Sequence, residues 1–214
     1  MGRAERQVVL VHGLWYGPVS MALLALRLEA MGYKCHRFGY PTLSQSVAAN
    51  ARALFEFARE IDLEQVDFVG HSLGGIVILR MFDEYRGLPP GRLVLLGSPV
   101  RGSDLASHLA SVRMIRPFIG QARTALERGF SHSPAGRETG VIAGTKAVGL
   151  GRVLGKLDAP SDGTIRVAET RLDDAVDTLE LPVSHTGLVL SRDVSDAVGR
   201  FLSEGRFAPR DAVG

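Results

Sequence analysis

The sequence predicts an α/β fold in three layers, with a mostly parallel sheet of about six strands between two layers of helices. Short apolar runs alternate along the chain with longer segments whose apolar residues recur at helical spacing. The apolar runs are continuous, which is typical of strands that are buried on both faces. Strands separated by helices form a parallel sheet, because each helix carries the chain back to the start of the next strand.

Proline and glycine mark where predicted elements begin and end. Pro18 suits the first turn of a helix and Gly32 suits its end, so a helix is predicted between them. A later helix is apolar on nearly every side, which is typical of a helix packed closely on a sheet. The predicted strands are 7–11, 33–38, 66–69, 93–96, 140–143 and 178–181, and the predicted helices are 18–31, 47–58, 73–85 and 193–202.

Residues 100–137 break this alternation. They contain two short amphipathic segments separated by Pro117, where a compact unit needs only one helix, so we expect a small cap or an extra cover for the sheet. No internal repeat or low-complexity segment divides the chain. We therefore expect residues 1–214 to form a single domain, with residues 203–214 as a tail.

Composition excludes several classes of protein. The chain has 25 basic and 23 acidic residues with no basic run, so we expect no nucleic-acid partner. Cys35 is the only cysteine, which excludes an intrachain disulfide and a cysteine-based metal site. No apolar run approaches the ~18 residues of a membrane span, and none has the form of a secretory signal, so a cytoplasmic protein is expected.

A serine lies at the turn between the third predicted strand and the helix after it. Open parallel sheets bind ligands at the carboxyl ends of their strands, so a site is expected at such turns. Gly70-His71-Ser72-Leu73-Gly74 has the form Gly-x-Ser-x-Gly, in which the flanking glycines avoid clashes at a strained strand-to-helix turn. The alternative role of Ser72 is to cap the helix, but the strand and helix around it favour a nucleophile.

A nucleophilic serine needs a base, usually a histidine that a carboxylate orients. Among the six histidines, His185 lies after the last predicted strand and before the last helix, at the carboxyl edge of the sheet. The alternative is that His185 is an ordinary histidine on a surface loop. His71 precedes Ser72 directly, and at a tight turn we expect its side chain to point away.

The acid is expected between Ser72 and His185 in the sequence. Ser161-Asp162-Gly163-Thr164 follows the fifth predicted strand through a loop, and its Asp-Gly pair indicates a turn. Asp162 is therefore the first choice. Asp158 is the second, and the remaining candidates are Asp173, Asp174 and Asp177.

Acyl transfer also needs N–H donors for the oxyanion of the tetrahedral intermediate. We expect the first from Leu73, the residue after the nucleophile. The second is expected from the loop after the first strand, where Gly13 permits close approach of the substrate, with Leu14 the first choice and Trp15 the next. Trp15 and Tyr16 are also candidates to line a substrate pocket, or else ordinary packing aromatics.

Five blocks of the sequence together resemble the bacterial lipase and esterase branch of the α/β-hydrolase superfamily. They are Val-His-Gly-Leu-Trp, Gly-His-Ser-Leu-Gly-Gly, Leu-Leu-Gly-Ser-Pro-Val-Arg-Gly-Ser, Ser-Asp-Gly-Thr-Ile and His-Thr-Gly-Leu, and the resemblance covers residues 7–202. It implies Ser72 as nucleophile, Asp162 as acid, His185 as base, and Leu14 and Leu73 as oxyanion donors. It also implies that the first hairpin of the family is missing here and that a lid is small or absent.

The sequence thus predicts a serine hydrolase that cleaves a small-molecule carboxylic ester, with an apolar acyl group and no cofactor. An acyltransferase or thioesterase on the same triad is the nearest alternative, and a ligand-binding protein without catalysis is another. The glycines before Lys156 lack the spacing of a phosphate loop, and the histidines do not cluster as metal ligands. A calcium ion bracing the acid or base loop is the one metal left open.

Overall fold

The continuous apolar runs of the sequence form the strands of one six-stranded sheet. The computed structural model describes residues 6–61, 64–102, 129–147 and 160–208. The strands are β1 Arg6–Val11, β2 Tyr33–Phe38, β3 Val66–His71, β4 Leu93–Leu96, β5 Thr139–Gly144 and β6 Asp177–Leu181. Their order is β2-β1-β3-β4-β5-β6, and every neighbouring pair is parallel. The predicted three-layer α/β architecture is confirmed.

Helices cover both faces of this sheet, so it has a hydrophobic core on each side. Alternate residues of a strand point to opposite faces, and in β1 Val9 packs into one core while Val8 packs into the other. The first core includes residues of α2 and α3, and the second includes residues of α1 and α5. The helices are α1 Ala22–Ala30, α2 Val47–Glu60, α3 Leu73–Glu84, α4 Gly187–Leu190 and α5 Arg192–Glu204, with 3-10 turns at Pro18–Met21 and Val167–Thr170.

Two elements differ from their predicted bounds in ways that matter for the site. The helix predicted at 18–31 begins as the 3-10 turn Pro18–Met21 before α1. The strand predicted to end at Val69 continues as β3 to His71, because Gly70 and His71 still pair with β4. The sheet therefore holds the backbone up to the residue before Ser72.

The described residues cover two predicted segments, the cap and the tail, only in part. Most of the predicted cap at 100–137 falls on residues 103–128, which lie outside the described residues. The last helix extends to Glu204, and Phe207 packs on Phe201 with ring centroids 4.8 Å apart. Packing thus reaches into the segment that the sequence marks as a tail.

In the parts of the chain that the structure describes, no helix is both long enough and apolar enough to cross a membrane.

Candidate active site

Ser72 occupies a strained turn between β3 and α3. Its backbone has φ 54° and ψ −122°, an unfavourable conformation for a residue with a side chain, and its N–H donates to the Leu96 carbonyl at 2.9 Å. A Cβ at Gly70 would lie 2.6 Å from the backbone of Gly75, and one at Gly74 would lie 2.6 Å from the His12 carbonyl oxygen. The close approach of strand and helix therefore requires glycine on both sides of the serine, as the motif predicts.

His185 and Asp162 form a buried hydrogen-bonded pair. His185 Nδ1 lies 2.6 Å from Asp162 Oδ2, and the His185 main-chain N–H donates to the Asp162 carbonyl at 2.9 Å. The other carboxylate oxygen, Oδ1, accepts hydrogen bonds from the N–H groups of Thr164 and Ile165, at 2.9 and 2.7 Å. Asp162 is thus fixed by its own turn, and it orients the imidazole from the side of Nδ1.

The competing aspartates have other partners. Asp173 forms an exposed ion pair with Arg101, and Asp174 accepts a hydrogen bond from the Ser133 N–H on the surface. Asp177 lies at the start of β6, where it accepts the N–H of Phe207 at 2.7 Å. Asp158 lies outside the described residues. Among the described candidates, only Asp162 contacts His185.

His71 connects the serine turn to His185. Its Nε2 lies 3.0 Å from the His185 carbonyl oxygen, and the two imidazole rings have centroids 4.7 Å apart. The expectation that this side chain points away from the site is therefore wrong, because the loop after β6 passes directly over the end of β3. The residues predicted as nucleophile, base and acid all follow strands of the parallel sheet at its carboxyl edge, and His71 joins the end of β3 to the loop of His185.

The loop after β1 lies against the serine turn. A Cβ at Gly13 would be 3.0 Å from the Cβ of Ser72, so the loop and the serine turn are in close contact. Trp15 adopts φ 63°, and its N–H donates to Thr42 Oγ1 at 3.4 Å. No described residue accepts a hydrogen bond from the N–H of Leu14. Leu14 and Trp15 are the two candidates for the donor from this loop, and of these the N–H of Trp15 has a described acceptor.

The other expected oxyanion donor and the two pocket aromatics have clear positions. Leu73 is the first residue of α3, where an N–H has no acceptor within its own helix. Tyr16 is half-buried and its hydroxyl lies 3.0 Å from Thr186 Oγ1, one residue after His185. The Trp15 side chain is 50% exposed. Tyr16 thus contacts the loop that carries His185, and Trp15 is exposed in the loop after β1.

His12, at the start of the loop after β1, is held in place by Tyr40. The ring of His12 stacks on Tyr40 with centroids 4.4 Å apart, and the Tyr40 hydroxyl donates to the His12 carbonyl at 2.7 Å. Burial lowers the pKa of His12, while its hydrogen bond to the Gly13 carbonyl raises it by less. The neutral ring packs under the loop as a structural element.

Sequence reasoning missed Gly97, which lies directly after β4. Gly97 has φ 54°, and a Cβ there would lie 2.6 Å from Leu188 Cδ1, 3.0 Å from Asp162 Oδ2 and 3.3 Å from His185 Nδ1. The Asp162 and His185 side chains thus pack against the backbone of Gly97, where a larger residue would leave them no space. The available signal was a glycine at the carboxyl end of a buried strand, where ligand sites are expected.

A cavity of about 840 Å³ lies elsewhere, between the start of α2, the second half of α3 and residues 129–135. Ser72 precedes the opposite end of α3, and neither Asp162 nor His185 lines the cavity. The chemistry of the side chains, rather than this cavity, therefore identifies the candidate site. Within the described ranges, no three His, Cys, Asp or Glu side chains are grouped as metal ligands.

Comparison with known sequences gives a family and a set of relatives. The model of the alpha/beta hydrolase family matches residues 8–212. An uncharacterized protein of Mycobacterium tuberculosis is 30% identical over 182 residues, a match that covers 79% of this chain and 52% of that protein. The chain thus spans about half the length of the curated relatives it matches.

Comparison with solved structures agrees with the fold. A metagenomic carboxyl esterase has a TM-score of 0.64 at 20% identity, over 86% of this chain and 66% of that one. The pyrethroid hydrolase PytH has a TM-score of 0.67 at 15% identity, over 94% of this chain and 98% of that one. With the parallel sheet, the strained serine turn and the family match over residues 8–212, this chain belongs to the alpha/beta hydrolase family.

Proposed function

We propose that the chain is a serine hydrolase that cleaves carboxylic esters, with Ser72 as nucleophile, His185 as base and Asp162 as the acid that orients the base. The observation that carries the proposal is the 2.6 Å hydrogen bond between His185 Nδ1 and Asp162 Oδ2, at the sheet edge that also holds the strained turn at Ser72. A histidine oriented in this way takes the proton of a serine hydroxyl and makes its oxygen nucleophilic.

The reaction then proceeds through two acyl transfers. His185 Nε2 takes the hydroxyl proton as Ser72 Oγ attacks the ester carbonyl carbon, and Asp162 stabilises the imidazolium that forms. The N–H groups of Leu73 and Leu14 stabilise the oxyanion, each by roughly 3 kcal/mol. The ester C–O bond breaks, and the alcohol leaves with the proton from His185. Water deprotonated by His185 attacks the acyl-enzyme, releasing the carboxylic acid and restoring Ser72.

The proposed substrate is a small ester with an apolar acyl group. Trp15 is half-exposed in the oxyanion loop, and Tyr16 reaches from this loop to Thr186, next to His185, so these two aromatic side chains are our candidates to line an apolar acyl pocket. The two similar solved structures are, by name, a carboxyl esterase and a pyrethroid hydrolase, which fits an ester-cleaving activity.

Hydrolysis of p-nitrophenyl acetate and butyrate, together with labelling by a fluorophosphonate, tests the proposal. We expect the wild-type chain to hydrolyse both esters and to be labelled at Ser72. Ser72→Ala should abolish labelling and lower kcat at least ~10³-fold, because the residual catalysis of such sites comes from binding and the oxyanion donors alone. Ser203→Ala is the matched control at an exposed serine near the end of α5, and it should leave both unchanged.

The acid is tested in the same assay with a pair of aspartate variants. Asp162→Asn should lower kcat ~10²- to 10⁴-fold, because an amide favours the wrong tautomer of His185. Asp173→Asn removes an exposed aspartate that pairs with Arg101, and it should retain wild-type kcat. A wild-type chain that neither turns over nor is labelled would overturn the proposal, as would full activity in Ser72→Ala.

The alternatives give different products from the same acyl-enzyme. Thioester substrates cleaved much faster than the matching esters indicate a thioesterase, and transfer to an added alcohol or amine indicates an acyltransferase. Binding of esters without turnover, in a chain that keeps Ser72 and His185, indicates a non-catalytic member of the fold.

A further inference from the structure

His71 is a buried histidine beside the proposed base, and acyl transfer gives it no chemical step. It is fully buried at the end of β3. Its Nε2 lies 3.0 Å from the main-chain carbonyl oxygen of His185, and the two ring centroids are 4.7 Å apart. The side chain therefore contacts both the main chain and the ring of His185.

The hydrogen bond determines which nitrogen of His71 carries its proton. A carbonyl oxygen only accepts, so Nε2 must donate and Nδ1 is unprotonated in the neutral ring. Nδ1 is buried and has no hydrogen-bond partner among the described residues. Burial lowers the pKa of His71 to about 3, with smaller contributions in the same direction from His185 and His12. His71 is thus a neutral donor across the working pH range of a serine hydrolase.

The groups that face His71 add no negative charge. His185 comes from the loop after β6, His12 from the end of β1, and the Tyr16 ring meets the His71 ring edge-on at 5.9 Å. A second proton on Nδ1 would find no acceptor and would lie beside the imidazolium that forms on His185 during acyl transfer. A neutral histidine donates to the His185 carbonyl without repelling that charge, which a lysine or arginine at this position would do.

We propose that His71 is a positioning residue that holds the main chain of His185 so that its imidazole stays between Asp162 and Ser72. The proposal rests on the proposed function, because it takes His185 as the base. The other described hydrogen bonds that anchor His185 both go to Asp162, at its main-chain carbonyl and at its Oδ2. The bond from His71 is therefore the described hydrogen bond that ties His185 to the end of β3, directly before Ser72.

Two substitutions separate positioning from simple packing. His71→Leu fills the space without a donor, and His71→Gln places an amide N–H near the position of Nε2. We expect His71→Leu to lower kcat for p-nitrophenyl butyrate ~30- to 100-fold with KM changed less than ~3-fold, because small misplacements of a base cost factors of this size. The rate of fluorophosphonate labelling should fall by a similar factor, and His71→Gln should recover at least ~10-fold.

Rates are divided by the number of sites that the fluorophosphonate titrates, so loss of folded protein does not count as loss of kcat. His36→Leu is the matched control, since His36 is a strand histidine with a side-chain partner, Gln7, away from Ser72. Wild-type kcat per titrated site in His71→Leu would overturn the proposal, as would a loss that glutamine does not relieve. An inert wild-type chain would instead show that the proposed function itself has failed.

The protonation of His71 is measured independently in the wild-type chain. Long-range ¹⁵N–¹H NMR spectra of the imidazoles should show His71 neutral, with its proton on Nε2, from pH 5 to pH 9. Titration of His71 within this range, or a proton on Nδ1, would overturn the proposal whether or not the variants fold.

Discussion

At the scale of single residues, the Asp162–His185 pair depends on Gly97, which carries no chemistry. The left-handed φ of 54° already disfavours other residues at this position, and the space where a Cβ would lie is filled by Leu188 and the two polar side chains of the pair. Asp162 thus orients His185 through a hydrogen bond, and the lack of a side chain at Gly97 leaves the space that the pair occupies.

Gly97→Ala should therefore reduce activity by moving the Asp162–His185 pair. We expect kcat for p-nitrophenyl butyrate to fall ~10- to 100-fold, because the methyl group would have to displace His185 Nδ1 or Leu188. Gly136→Ala is the matched control, since Gly136 also has a positive φ, of 74°, but no atom lies within 4 Å of its Cβ position. Both variants should lose about 1 kcal/mol of stability from backbone strain, and only Gly97→Ala should lose kcat. Equal kcat in the two would contradict this role.

At the scale of elements, the carboxyl and amino edges of the sheet have different tasks. The carboxyl edge carries the candidate site. At the amino edge, Arg137, which precedes β5, joins neighbouring elements through hydrogen bonds and ring contacts. The guanidinium group of Arg137 contacts the rings of Phe68 and Phe82, at 5.2 and 4.4 Å from their centroids. It donates to the carbonyl oxygens of Val66, at 2.8 Å, and of Pro89. Burial lowers the pKa of Arg137 to about 10, which leaves it charged at neutral pH.

Arg137→Met should destabilise the fold without affecting catalysis. It leaves two carbonyl groups without their charged donor and removes two cation–π contacts, which together cost ~2 to 4 kcal/mol in the free energy of unfolding. Urea denaturation measures this loss, and kcat should stay at the wild-type value. Arg52→Ala removes an exposed ion pair with Glu56 and should leave the stability close to that of the wild type. A loss in Arg137→Met as small as this control would show that the buried contacts contribute little.

At the scale of the whole molecule, one sheet separates two cores and holds the site at a single edge. The loops after β1, β3, β4, β5 and β6 meet there, so residues far apart in the sequence become neighbours. Burying this edge leaves two neutral histidines, His12 and His71, inside the fold. Their burial links folding to pH.

Stability should fall as the pH drops from 7 to 5. Burial lowers the pKa of His71 in the folded chain to about 3. In the unfolded chain His71 has its ordinary pKa near 6.5, so below that pH it binds a proton only when the chain is unfolded. At pH 5 this costs about 2 kcal/mol for any folded pKa well below 5. The lowered pKa of His12 acts in the same direction, and the raised pKa of buried Asp67 acts in the opposite one.

Comparing the wild type with His71→Gln isolates the contribution of His71. Urea denaturation at pH 7, 6 and 5 should give a shallower decline in the variant, by about 2 kcal/mol over the range, whatever its stability at pH 7. Parallel declines in the two proteins would show that His71 does not resist protonation in the folded state.

The sequence by itself determined the local features of this protein. Continuous apolar runs and helical spacing gave the order of strands and helices, because burial on both faces leaves a direct pattern in the chain. The turn at Ser72 was also readable, since Gly70 and Gly74 are required by steric contacts within one strand-turn-helix unit and the end of β1 next to it.

Only the tertiary structure decided which long-range contacts form. It selected Asp162 over three other described aspartates as the partner of His185, placed His71 against the His185 main chain, and gave the Trp15 N–H to Thr42 rather than leaving it free. It also packed the Asp162–His185 pair against the backbone of Gly97. These contacts join loops that follow different strands, and their geometry depends on how the sheet brings the strand ends together, which no local pattern of residues encodes.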